Sequence, residues 1–199
     1  MLAIKDVSLS YGNSEEVLHN LSFDVQKGEC ILFTGKSGSG KSSIINTING
    51  LSTRYDNGQL KGEILFMGKS LGELELYQIS MLITSVFQNP KTHFFNVNTT
   101  LELLFYLENI GLSKEEMDRR LNKMLEVFPI QHLLNRDIFK LSGGEKQILC
   151  VAACYIAQTK VVVLDEPSSN LDECNIEILS KMLKILKASG ITLLLCEHR

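Results

Sequence analysis

Eight residues, Gly35-Lys36-Ser37-Gly38-Ser39-Gly40-Lys41-Ser42, have the types and spacing that hold phosphate. They satisfy G-x-x-x-x-G-K-[ST], in which glycines let the backbone wrap until successive N–H groups converge on the α/β-phosphates. A helix opening at the end of the loop, with Ser43 in its first turn, adds the positive end of its dipole. Lys41 would reach the β/γ-phosphates and Ser42 would ligate magnesium. A second candidate anion surface is Leu141-Ser142-Gly143-Gly144-Glu145, where Ser142 reads as an N-cap and two glycines leave N–H groups unobstructed. Taken alone, that second run is more often an ordinary cap and turn.

Carboxylates follow. Val161-Val162-Val163-Leu164-Asp165 reads as an apolar strand delivering an acid at its C-terminal end, the edge of an open α/β sheet where ligands bind. Asp165 would hold magnesium directly or through water, while Glu166, one residue on, can reach an attacking water. Two adjacent acids would then have two different tasks.

The elements needed to place these groups are legible along the chain. Period-two patterns at 3–9 and 18–25, separated by Tyr11-Gly12-Asn13, predict antiparallel strands. Cys30 to Thr34 reads as a strand feeding the glycine loop and a helix over 41–49. Further strands are expected at 62–67 and 82–87, and amphipathic helices at 99–110 and 114–128. After them come a helix over 144–157, the strand at 161–165, a helix over 172–188 and a strand over 192–196. Continuous Val/Leu runs alternating with helices predict an α/β core of parallel strands covered on both faces. The stretch 89–140 reads as a helical insertion.

Bulk properties exclude several classes. The chain has 199 residues, 44% hydrophobic and 22% charged, with net charge −3. That charge gives no general attraction for nucleic acid or anionic lipid. No run approaches the ~18 apolar residues of a membrane span, and the N-terminus lacks a signal peptide's continuous apolar segment. The five cysteines, odd in number and without metal-ligand spacing, read as reduced core residues of a cytosolic protein.

In this order and spacing the motifs resemble the nucleotide-binding subunit of ATP-binding cassette (ABC) transporters: Walker A at 35–42, signature at 141–145, Walker B at 161–166. The resemblance implies a P-loop NTPase of ABC type, with a mostly parallel core sheet, an antiparallel β subdomain and an inserted helical subdomain. It spans 1–199 as one domain, core at about 1–88 and 141–199, insertion at about 89–140. It implies ATP and Mg2+ as ligands and ATP hydrolysis as the activity. Glu166 would be the general base, and His198 would position the γ-phosphate and water. Gln88 would touch magnesium and link the core to the insertion. Ser169 to Asp172 resembles the D-loop, with Asp172 near nucleotide. Tyr11 matches the aromatic residue that stacks on adenine, although a lone turn tyrosine is more often packing.

The same resemblance makes Ser142, Gly143 and Gly144 the cap on a γ-phosphate held by another subunit, in a head-to-tail dimer. The stretch 87–95 further resembles energy-coupling factor importers of vitamins or metal ions, with His93 replacing a glutamine. Membrane-embedded subunits would then dock on the helical insertion, placing the chain peripherally on the cytoplasmic face of the membrane. Alternatives are a soluble ABC-type ATPase acting on nucleic acid or ribosomes, and a regulatory module that binds ATP without hydrolysing it. Departures are Glu145 where Gln is commoner, Ile148 where Arg is commoner, and an end at Arg199 where such subunits continue. The last suggests a C-terminal truncation, with His198 frayed and not held in its switch position.

Overall fold

A computed structural model describes residues 1–12, 15–89, 94–169 and 171–198. Asn13, His93 and Asn170 of the sequence reading lie outside them. Strand β1 (Leu2–Tyr11) pairs antiparallel with β2 (Glu16–Val25) on one side and β4 (Gly58–Phe66) on the other, and the two-residue β5 (Lys69–Ser70) completes the sheet in the order β2-β1-β4-β5. Leu2, Ile4, Val7 and Leu9 of β1 are all buried, which requires a change of phase between Ile4 and Val7. A register shift supplies it, with Asp6 at φ 49°.

The second sheet is parallel, in the order β3-β8-β7-β6, from β3 (Cys30–Thr34), β6 (Ile83–Val86), β7 (Val161–Asp165) and β8 (Thr192–Glu197). Its central strand β7 is buried throughout. Alternation decides which way each side chain goes. Val161 and Val163 join a core with Ile44, Ile45 and Ile48 of helix α1 (Lys41–Ile48) and the first sheet. Val162 and Leu164 join a core with α6 (Gly143–Ala157) and α7 (Glu173–Ala188).

Two expectations are corrected here. Strand β3 is not covered on both faces: it is an edge strand, and Leu32 is 53% exposed. Nor are all cysteines in the core, since Cys30 and Cys174 are exposed while Cys150, Cys154 and Cys196 are buried. Desolvation pushes the buried thiols up, Cys154 and Cys196 to about 12, so these three behave as small apolar groups.

Helices α2 (Leu51–Arg54) and α3 (Leu76–Ser80) precede β6. Helices α4 (Thr99–Asn109) and α5 (Lys114–Val127) then occupy the stretch expected to be helical, each opened by a side-chain cap, Asn98 and Ser113. Their buried Leu103, Leu107 and Met124 share one core with α6. The 133–138 segment is sewn to the start of α4: the Thr99 N–H donates to the Arg136 carbonyl, the Arg136 N–H to Thr99 Oγ1, and Asn98 bridges Asp137.

Candidate functional site

The glycine loop runs from the end of β3 into α1. Gly40, the residue before the helix, sits at φ +85°, and a Cβ there would stand 3.0 Å from the Val17 carbonyl oxygen, so only glycine turns this corner freely. The next residue, Lys41, is 8% exposed. Its Nζ donates to the carbonyls of Gly35 at 2.9 Å and Lys36 at 3.0 Å. A buried ammonium needs such partners, and they hold it on the inner side of its own loop.

Strand β7 delivers Asp165 and Glu166 to the same place. Glu166 adopts φ 47°, a left-handed conformation unusual outside glycine, fixed by its N–H donating to the Cys196 carbonyl of β8 at 2.9 Å. Such strain concentrates where a side chain must be aimed. Its Oε2 accepts from Gln88 Nε2 at 2.8 Å, and its Oε1 meets His198 Nε2. His198 Nδ1 lies 3.2 Å from Lys41 Nζ and 3.1 Å from the Gly35 carbonyl. With Nε2–H given to Glu166, Nδ1 can accept from Lys41. The expectation of a frayed His198 is therefore corrected: β8 pairs through Glu197 with Thr34 of β3, carrying the imidazole directly onto the glycine loop.

Asp165 is 7% exposed, and its Oδ1 has no hydrogen-bond partner. Burial raises its carboxyl above the ordinary range and the charge of Glu166 adds to this, while a hydrogen bond from Ser42 and the charge of Lys41 oppose it. An orphaned anionic oxygen next to a hydroxyl fits magnesium, which takes oxygen ligands and binds through one or two protein groups plus substrate phosphates. Among the described residues no group of three or more His, Cys, Asp or Glu could hold a metal ion. Gln88, expected to touch magnesium, spends its Nε2 on Glu166.

Asp165→Asn should raise the melting temperature of the ligand-free protein by about 2–4 °C, because it removes a desolvated charge facing Glu166. The raised folded-state pKa fixes the pH dependence. The wild-type carboxyl costs nothing below its unfolded pKa and destabilises progressively as pH rises through the folded one. The gain in the variant should therefore grow from acid to neutral pH in thermal scans, and a gain independent of pH would contradict the assignment.

Ser37, Gly38, Gly40, Lys41, Ser42, Ser43, Gln88, Glu166 and His198 line one open cavity of about 330 Å³. Gly35, Lys36 and Ser39 are not among its lining residues: the Gly35 and Lys36 carbonyls hold Lys41 Nζ, and the Ser39 N–H donates to the Lys36 carbonyl at 3.2 Å. Val17, at the start of β2, also lines it, although no motif marks it. Tyr11 does not: its hydroxyl is 3.2 Å from Ser52 Oγ, which ties the ring to α2.

Ser142, Gly143, Gly144 and Asp172 do not line this cavity either. Ser142 caps α6 in a reciprocal box with Glu145, each side chain bonded to the other's N–H at 3.1 and 2.7 Å. Asp172 caps α7 by accepting the Asn175 N–H at 2.8 Å. Asn175 packs so closely on Gly144 that a Cβ there would lie 2.4 Å from its Nδ2. Arg136, whose Nη1 donates to Glu145 Oε1 at 2.9 Å, completes this second surface, and no signal in the sequence marked it or Asn175.

The family model described as ABC transporter matches residues 18–169. An ABC transporter ATP-binding protein of Treponema denticola is 40% identical over 200 residues, covering 100% of this chain and 41% of the relative. The chain thus spans about two fifths of that relative. For PH1815 of Pyrococcus horikoshii, of the same description, identity is 37%, covering 100% of this chain and 70% of the relative. Among solved structures, cbiO1 of Clostridium perfringens, part of the ABC transporter complex cbiONQ, superposes with TM-score 0.87 at 25% identity, covering 100% of this chain and 78% of that one. The ATP-binding cassette MJ0796, a dimer bound to ADP and Pi, shares the fold at TM-score 0.82 and 23% identity, covering 100% of this chain and 88% of that one.

Proposed function

The chain belongs to the ABC transporter family of ATP-binding proteins, and from that premise we propose that it binds ATP with Mg2+, hydrolyses it, and powers transport through a separate membrane subunit. The observation that carries the catalytic part is the aim of Glu166. Gln88 and His198 hold its two oxygens inside the cavity that contains Lys41, an arrangement suited to positioning and deprotonating a water near a phosphate. The glycine loop and Lys41 bind and orient the triphosphate. Ser42 and Asp165 would hold magnesium, which would supply positive charge beside the phosphates.

The surface at Ser142, Gly143 and Gly144 lies outside the cavity, which supports its use on a nucleotide bound by a second subunit in a head-to-tail dimer. Apolar side chains favour the membrane-partner reading. Phe95 is 77%, Phe139 75% and Leu101 51% exposed, near the helical stretch, and Phe95 stacks on Phe105 at 4.8 Å. Among the described residues no helix is long and apolar enough to cross a membrane. In this reading the chain attaches peripherally, at the cytoplasmic face, through membrane-embedded subunits that cover these side chains. Uptake of a vitamin or metal ion is the substrate class favoured by the resemblance of the stretch at 87–95 to energy-coupling factor importers.

Phe95→Asp/Phe139→Asp should shift the protein from the membrane fraction to the soluble fraction of cells expressing the whole transporter, while ATP affinity stays within about twofold. Retention of the double variant on membranes would overturn the docking assignment. The catalytic assignment is tested separately, by the Glu166 substitution.

A further inference from the structure

The N-terminal turn of α6 carries a charge at odds with its proposed task. Docking a phosphate at Ser142, Gly143 and Gly144 draws on backbone N–H groups and the positive helix end. Glu145, the third residue of the helix, sets a carboxylate in the same turn. Its oxygens have separate partners: Oε2 accepts from the Ser142 N–H at 2.7 Å and Oε1 from Arg136 Nη1 at 2.9 Å. The donors left for a phosphate are the Ser142 hydroxyl and the N–H groups of Gly143 and Gly144. All of them lie within one helical turn of the Glu145 charge.

Arg136 comes from outside α6, on a backbone fixed from both sides. Its N–H donates to Thr99 Oγ1 at 3.0 Å, its carbonyl accepts the Thr99 N–H at 3.0 Å, and the Ile138 N–H reaches the Val97 carbonyl at 2.8 Å. Thr99 is fully buried and also donates its hydroxyl to the Leu133 carbonyl at 2.6 Å. The ion pair itself is partly exposed, 39% at Arg136 and 26% at Glu145, so it adds little to folding stability. Its effect on an arriving phosphate is larger, because an unpaired carboxylate there would both repel the phosphate and cancel the helix dipole.

We infer that Arg136 is a positioning residue for the phosphate surface at Ser142 to Gly144. It neutralises Glu145, so that a γ-phosphate presented by a second subunit meets a net positive helix end. This rests on the head-to-tail reading above.

The test uses the Glu166→Gln background, in which ATP turnover is expected to be strongly slowed, and measures ATP-dependent self-association by sedimentation velocity. Adding Arg136→Gln should weaken association about tenfold. Adding Glu145→Gln to that variant should restore it to within about twofold, since glutamine keeps the capping box while removing the charge. A double variant as weak as Arg136→Gln alone would reduce Arg136 to a structural role and overturn the proposal. If Arg136→Gln does not fold, Glu145→Gln alone decides: association several-fold tighter than the parent supports the proposal, and unchanged association overturns it. A parent that fails to dimerise with ATP overturns the head-to-tail reading and this proposal together. A parent that dimerises while Arg136→Gln matches it overturns this proposal alone.

Discussion

Replacing Glu166 by glutamine is expected to lower kcat for ATP about 10²–10⁴-fold with little change in ATP affinity. The substitution is nearly isosteric and removes only the basicity of the side chain. The Gln88 contact at 2.8 Å can persist through the introduced amide's oxygen. The amide's NH₂ would face His198, whose Nε2 must then accept, a change of tautomer that gives Nδ1–H to the Gly35 carbonyl at 3.1 Å in place of the Lys41 contact. The left-handed backbone at position 166 is held by its own N–H bond to Cys196, and glutamine tolerates it as glutamate does. Fold and nucleotide binding should thus survive the loss of the base. Single-turnover hydrolysis with excess protein separates the steps: a normal binding signal followed by almost no phosphate release is the expected trace. Equal rates for variant and wild type would remove Glu166 from catalysis. They would favour a module that binds ATP without hydrolysing it. An ATP-loaded protein that cannot turn over should also accumulate as the head-to-tail dimer, visible as a doubling of mass on addition of ATP.

What was legible in the sequence is what depends on local chemistry. The glycine loop, the acids closing β7 and the cap at Ser142 each occupy a few consecutive residues whose types allow little else. The continuous apolar runs of β7 and β8 likewise predicted strands covered on both faces, and the structure puts one core on each face of that sheet. Contacts between distant segments were not legible. The apolar run Cys30 to Thr34 looked like a covered strand, yet its place at the sheet edge follows from β3 pairing with β8 alone among the described strands. His198 looked free because it stands near the end of the sequence, but parallel pairing of β3 with β8 brings it against Gly35, 163 residues earlier. Arg136 carried no motif at all, and its partnership with Glu145 arises from the backbone seam between Thr99 and Arg136. Tyr11 was singled out by position, whereas its hydroxyl contact with the fully buried Ser52 depends on how α2 folds back on β1.

Lys41→Ala is expected to weaken ATP binding by about 10²-fold or more, since it removes the ammonium that would reach the β/γ-phosphates, on a side chain that is itself only 8% exposed. The loss should exceed that of a single phosphate contact. Lys41 Nζ also fixes the carbonyls of Gly35 and Lys36 and meets His198 Nδ1, so three elements of the site share it. Without it the Gly35 and Lys36 carbonyls lose the ammonium, the Lys36 carbonyl keeping only the Ser39 N–H, and His198 keeps only the Gly35 and Glu166 contacts. Asp165, whose carboxyl is already raised by burial, loses a charge that opposes the shift and should titrate higher still. Magnesium binding, which requires the ionised form, should consequently weaken most at low pH. Calorimetric titration with ATP at two pH values tests both parts: a large loss of affinity, and a loss that deepens on acidification in the presence of Mg2+. A thermal melt within a few degrees of wild type would show that the fold survived. Unchanged ATP affinity would mean that the glycine loop is not the phosphate site, because no other lysine lines that cavity.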